Sequence, residues 1–189
     1  MKHIDPRRDA GLVLGALECL IDGRKAVYLA VPITSGLRLW KLASLYKVRE
    51  LRDFSKQYPD RFRQLVLKPN INEAKRMSAR LRQRDILIID PSCLMIKEWS
   101  QEDYSQLWKS VLKTRVSRIA LSPNWVYSLG CLDEYLVSVK SGLQVTDLDG
   151  NEVTYKDAES QIRQAECKGN ALGINTLYLR KALRHLKQA

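Results

Sequence analysis

A chain of 189 residues, 45% hydrophobic and 28% charged, is long enough to bury one sizeable core and excludes a disordered chain. Lys and Arg total 32 against 21 Asp and Glu, and the net charge of +11 favours an anionic partner such as a nucleotide, a nucleic acid or an acidic surface. The cysteines Cys19, Cys93, Cys131 and Cys167 form no C-x-x-C pair, and the two histidines, His3 and His185, lie near the termini, so structural zinc and a His-based triad are not expected; nor is a cofactor, for want of a dinucleotide or P-loop motif.

In chain order, RRDAGLVLGALECLI (7–21) has the charged start and apolar run of a signal peptide. Glu18 interrupts the run, however, and IDGRKA follows where a small-residue cleavage site would stand. It reads as a helix over about 10–21, capped by Asp9, with Val13, Leu17 and Leu20 on one side. No stretch reaches the ~18 apolar residues of a membrane span, and free thiols suit a cytoplasmic protein. KAVYLAVPI (25–33) is a buried strand ended by Pro32. Leu39, Leu42, Leu45 and Tyr46 predict one long amphipathic helix over 36–57. RFRQLVLKP (61–69) reads as a second strand and NEAKRMSARLRQR (72–84) as a basic helix.

RDILIIDP (84–91) is the clearest strand, closed by Pro91. A helix over 101–114 follows, with Tyr104, Leu107, Trp108 and Val111 on one side, then the strand SRIALSP (117–123) and a helix over 129–141. GLQVTDLDGNEVTY (142–155) is a strand and hairpin turned at Asp149-Gly150, and helices over 157–168 and 174–187 finish the chain. This alternation predicts a doubly wound, mainly parallel α/β sheet over 25–155, with a helical extension over 1–24 and a helical segment over 156–189. Tyr178, Leu179, Leu183 and Leu186 form an apolar stripe that packs on the domain or pairs subunits. In such sheets ligands bind beyond the carboxyl ends of the strands, where PITSG (32–36), DPS (90–92) and SPNW (122–125) should converge.

No G-x-G-x-x-G, P-loop or G-x-S-x-G elbow occurs. The stretch WVYSLGCLDEYL (125–136) reads as a helix start. Ser128 is the N-cap, Gly130 lets a ligand approach the anion-receptive first turn, and Leu132, Leu136 and Val139 face the sheet. Glu134 then has two readings: a solvated acid, or a carboxylate overhanging a pocket at the strand tips. Tyr28 is either core or functional, and Trp125 either packs or stacks on a base or sugar. KRMSARLRQR (75–84) carries charge without interleaved aromatics, which suits a solvated face better than a nucleic-acid surface.

Three of these stretches together resemble the nucleoside 2-deoxyribosyltransferase-like proteins. VYLAVPITSG resembles their first strand and loop, W-x-x-S-x-G-C-x-x-E from Trp125 to Glu134 their second signature, and ILIIDPSCL their middle strand. The resemblance covers about 25–147 and implies N-glycosidic chemistry on a nucleoside or nucleotide. It assigns attack or stabilisation of the anomeric carbon to Glu134 and orientation of that carboxylate to Tyr28. Sugar or phosphate contacts fall to Ser128 and Gly130; to these we add Pro32, Thr34 and Ser35 of the first loop, and set Trp125 against the base. It also implies a homo-oligomer. Two departures stand out: Val31 replaces the family's Gly, and LWKSVLKTRVSR (107–118) lacks the acid that protonates the departing base. Asp90 is the candidate replacement. A nucleotide-binding domain without catalysis, or a basic nucleic-acid-binding protein, are the alternatives.

Overall fold

The structure, a computed structural model, describes residues 6–24, 26–82 and 87–187, and the side chains of residues 6–8 lie outside what it describes. His3, Lys25 and residues 84–86 of the predicted strand therefore lie outside the described residues. Among those described, β1 (Ala26–Ala30), β2 (Leu87–Ile89), β3 (Arg118–Leu121) and β4 (Gln144–Asp147) form one all-parallel sheet in the order β2-β1-β3-β4. The register sets Tyr28 between Ile89 and Ile119; β1, β3 and β4 end level at Ala30, Leu121 and Asp147, while β2 stops two residues short, at Ile89. Alternation along β1 sends Tyr28 and Ala30 to one face and Val27, Leu29 and Val31 to the other. Helices cover both faces, giving the doubly wound α/β arrangement. No helix among the described residues is long and apolar enough to cross a membrane.

The first helix, α1 (Pro6–Ile21), begins earlier than predicted. Pro6 takes the first helical position, where its missing N–H costs nothing. Asp9 therefore lies inside the first turn, where its charge complements the helix dipole, and is not the N-cap.

The predicted 36–57 helix is two helices, α2 (Leu37–Leu45) and α3 (Leu51–Gln57). The chain turns out of α2 through a left-handed Lys47 (φ 56°). Val48 N–H returns to Ala43 O at 2.8 Å and Lys47 N–H to Ser44 O at 3.1 Å. This is a Schellman ending, with Lys where Gly usually stands and Val48 buried behind it. The rings of Tyr46, Phe54 and Tyr58 pack against one another across the break, with centroids 4.8–5.6 Å apart.

The predicted strand over 61–69 is helical. After the single turn α4 (Pro59–Phe62), residues Arg63–Leu67 widen into a π-turn that leads directly into α5 (Lys68–Arg82). Lys68 N–H reaches back to Arg63 O across that wide turn. Pro69 has no N–H to give and would crowd the carbonyl four residues earlier; a widened turn directly before it accommodates the ring. Helical spacing turns Val66 inward and leaves Leu65 exposed, so these apolar residues serve a helix. Asn70, Ala74, Ser78 and Leu81 are the buried side of α5, and Ala74 and Leu81 pack with the Val27/Leu29 face.

The other face is covered by α6 (Gln101–Thr114) and α7 (Leu129–Lys140). Ser100 and Asp103 form a reciprocal capping box at the start of α6. In α7 the buried side is Cys131, Leu132, Tyr135 and Ser138; Leu136 and Val139, expected against the sheet, are only half-buried. The face is rotated because Tyr135 fills the space beside Trp125. After β4, a tight turn at Asp149-Gly150 brings Glu152 antiparallel to Thr146.

The last two helices, α8 (Tyr155–Ala171) and α9 (Leu177–Leu186), contribute Ile162, Leu179, Leu183 and Leu186 to the core that also holds Tyr28 and Trp40. Thr154 caps α8 with Asp157 in a second capping box. Thr154→Ala is expected to lower stability by about 1 kcal/mol, read as a shift of the urea midpoint with unchanged slope. An unchanged midpoint would mean that this box carries no stability.

Candidate functional site

Two loops leave the centre of the sheet in opposite directions. The chain after β1 (31–36) turns toward α5's side, while the chain after β3 (122–128) turns toward α7. β1 and β3 are neighbours, so the crevice between their tips is the topological switch point where α/β sheets bind ligands. A side-chain bond spans it: Ser35 Oγ donates to Ser128 Oγ at 2.8 Å. Ser128 caps α7 as predicted, accepting from Cys131 N–H at 3.4 Å. The first loop is also held from α5, where Asn70 Nδ2 donates to Ile33 O (3.0 Å) and Ser35 O (2.8 Å).

Tyr28 and Glu134, 106 residues apart in sequence, meet on α7's side of the sheet. Tyr28 Oη donates to Glu134 Oε1 at 2.7 Å. The phenol lies wholly inside, edge-on to Trp108 at 5.9 Å between centroids. Glu134 is half-buried as a residue, but its carboxyl is desolvated, and burial raises its pKa to about 8. The bond from Tyr28 pulls that value down and the nearby Asp133 charge pushes it up. Burial, then the Glu134 charge, raises the Tyr28 phenol well above its ordinary value, so Tyr28 is a donor and not a base. The buried Cys131 thiol is likewise pushed up, by burial first and Glu134 second, and is no thiolate. Glu134 is thus not the solvated acid of an ordinary helix surface.

The other candidates divide. Gly130 is exposed, and a Cβ there would find only Ser128 Oγ at 3.9 Å, so the first turn of α7 is open to a ligand. Thr34 is exposed. Asp90 is buried at the tip of β2, where its Oδ1 accepts from Ser92 N–H at 2.9 Å. Trp125 requires a correction: it is 2% exposed, its ring lies 4.7 Å from Tyr135 and its Nε1–H donates to Gln161 Oε1 at 2.9 Å. A base cannot stack on a ring so enclosed; the indole belongs to the core.

Two cavities flank these residues, and neither is lined by Glu134 or Tyr28. One, of about 140 Å³, lies at the switch point, with Val31, Pro32 and Gly36 on the β1 side and Ser122 and Asn124 on the β3 side. The other, about 240 Å³ and mostly apolar, runs between α1 and the edge strand β2, with Asp90 in its wall. The carboxyl and the first cavity therefore sit on opposite sides of the strand tips.

Sequence reasoning placed Gly36 and Ser122 only as members of the converging PITSG and SPNW segments, with no role of their own, and missed Asn70. Gly36 has φ 98°, and a Cβ there would come within 2.8 Å of Pro32, so only glycine closes this turn. A glycine at the first position of the predicted 36–57 helix was the available signal. Asn70 could not be seen as a tether while 61–69 read as a strand. No group of three or more His, Cys, Asp or Glu among the described residues is placed to hold a metal ion. No protein-family model, curated protein or solved structure matches the chain.

Proposed function

We propose that the protein cleaves or transfers the N-glycosidic bond of a nucleoside or nucleotide, with Glu134 as the carboxylate that meets the anomeric carbon. The observation that supports this best is the 2.7 Å bond from a buried Tyr28 to a desolvated Glu134 carboxyl at the strand tips. A carboxylate in low dielectric favours an oxocarbenium-like centre far more than one in water, and the charge it answers exists only in the transition state. Tyr28 fixes one carboxyl oxygen, leaving the other for the sugar. Gly130 opens the first turn of α7 to the sugar or to a 5′-phosphate.

In this reading the ionised form of Glu134 is the active one, so turnover rises with pH toward an apparent pKa near 8. Release of free base from a panel of nucleosides and nucleotides, followed across pH, tests it. A rate that falls over the same range would instead assign Glu134 as proton donor to the base. Tyr28→Phe removes the bond that favours the ionised carboxyl, so the limb moves to higher pH. At pH 7, kcat then drops about tenfold for each unit of that move. An unmoved limb would separate Tyr28 from the carboxyl's function.

A second reading, a nucleotide-binding domain without turnover, is favoured by the two cavities, neither of which reaches Glu134. Thermal stabilisation by a nucleotide with no base released would select it.

A further inference from the structure

Beyond the glycosidic chemistry, and without resting on it, we infer that the cavity between the tips of β1 and β3 is a binding site for a phosphate or phosphomonoester dianion. α2 begins at this cavity. Its N-cap is Gly36, which has no side chain to cap with, so the first N–H groups of a nine-residue helix are left for a ligand. Leu37, Arg38 and Lys41 of that helix form part of the wall.

A second observation, independent of the helix, comes from β3. Ser122 is 1% exposed, and its hydroxyl has no hydrogen-bond partner. Ser122 N–H continues the ladder to Ala30 O at 3.0 Å, so strand alternation holds here. The side chain of Ser122 therefore points the same way as Ala120, toward α5, the side on which this cavity opens. A buried hydroxyl without a partner is costly, and a ligand oxygen at this wall supplies what it lacks.

The charge is suitable. Arg38 Nη2 meets Glu73 Oε2 at 2.8 Å, which neutralises that pair and leaves other guanidinium N–H groups for an anion. Lys41 adds an exposed positive charge at the rim. The volume of about 140 Å³ suits a small oxyanion rather than a whole nucleotide.

The test titrates inorganic phosphate, ribose 5-phosphate and ribose against the full chain, following backbone amide shifts and thermal stability. Saturable shifts at the amides of 37–39 with both phosphate compounds, and none with ribose, are expected. Tighter binding of ribose 5-phosphate identifies a sugar phosphate as the ligand; equal binding identifies free phosphate. Lys41→Ala and Ser122→Ala should each weaken binding by roughly tenfold, the scale of one charge-assisted contact. Ser122→Ala also removes the orphaned hydroxyl, so its ligand-free Tm should stay level or rise while its affinity falls. A merely structural serine would not give those opposite signs. Phosphate binding should survive Glu134→Gln, so failure here is distinguishable from failure of the glycosidase reading. Absence of saturable binding, undiminished affinity in both variants, or shifts confined to the first turn of α7 would each overturn the site.

Discussion

Glu134→Gln is expected to abolish base release, by roughly 10³-fold or more, and at the same time to make the protein more stable at pH 8. The folded chain holds the Glu134 proton until about pH 8, whereas an ordinary glutamate releases it near 4.5. Between those values the unfolded chain is the more ionised, so rising pH favours unfolding by up to about 1.4 kcal/mol per pH unit. Below 4.5 both states hold the proton and above 8 both have lost it, so the slope vanishes at either end. Gln keeps an oxygen for Tyr28 without a charge to desolvate. Urea midpoints for the two proteins should therefore be close at pH 5 and diverge toward pH 8, with the variant higher by several kcal/mol, on the order of the integrated slope. Parallel pH dependences would mean that the carboxyl is solvated and would remove the physical basis of the proposed chemistry.

Gly169→Ala carries the second large effect, and its sign opposes helix propensity. Gly169 lies within α8, where Ala is ordinarily better by about 1 kcal/mol. Here a Cβ would stand 2.7 Å from Cζ3 of Trp40 and closer still to Cγ2 of Thr176. Trp40 is fully buried, with Tyr127 edge-on at 5.0 Å and Tyr178 at 6.4 Å, and has nowhere to retreat. We expect a loss of about 3 kcal/mol or more, a fall in Tm of about 6–12 °C. Trp40→Phe in the same chain should recover part of that loss, because a smaller ring makes room. A stabilised Gly169→Ala variant would show that α8 does not seat against Trp40.

The features that local chemistry controls were readable from residues alone. The α6 helix matches its predicted span because Ser100 and Asp103 mark its start and its apolar spacing is regular. The strands β1 and β3 are short apolar runs closed by proline. Failures came where one residue does something unusual for its type. Lys47 takes a left-handed ending that a glycine would have announced, and Pro69 sits inside a helical run that a π-turn makes tolerable. Other features depend on tertiary burial. Nothing local distinguishes a stacking Trp125 from one enclosed by Tyr135 and Gln161, or reveals that Ser122 lacks a partner. The Tyr28–Glu134 pair lies between: strand alternation and helix geometry bring the two close, and only the packed structure makes the carboxyl dry.

The contact of Gly169 with Trp40 also bears on the order in which the protein acquires its shape during synthesis. Gly169 and Tyr178, which lie against the Trp40 ring, are translated long after it. A nascent chain that has already paired β1 with β3 still presents this indole to water until the α8–α9 hairpin leaves the ribosome. Helices α8 and α9 thus complete a core that β1 and α2 begin. A chain stalled before residue 169 is a natural client for chaperones that recognise exposed aromatic surface.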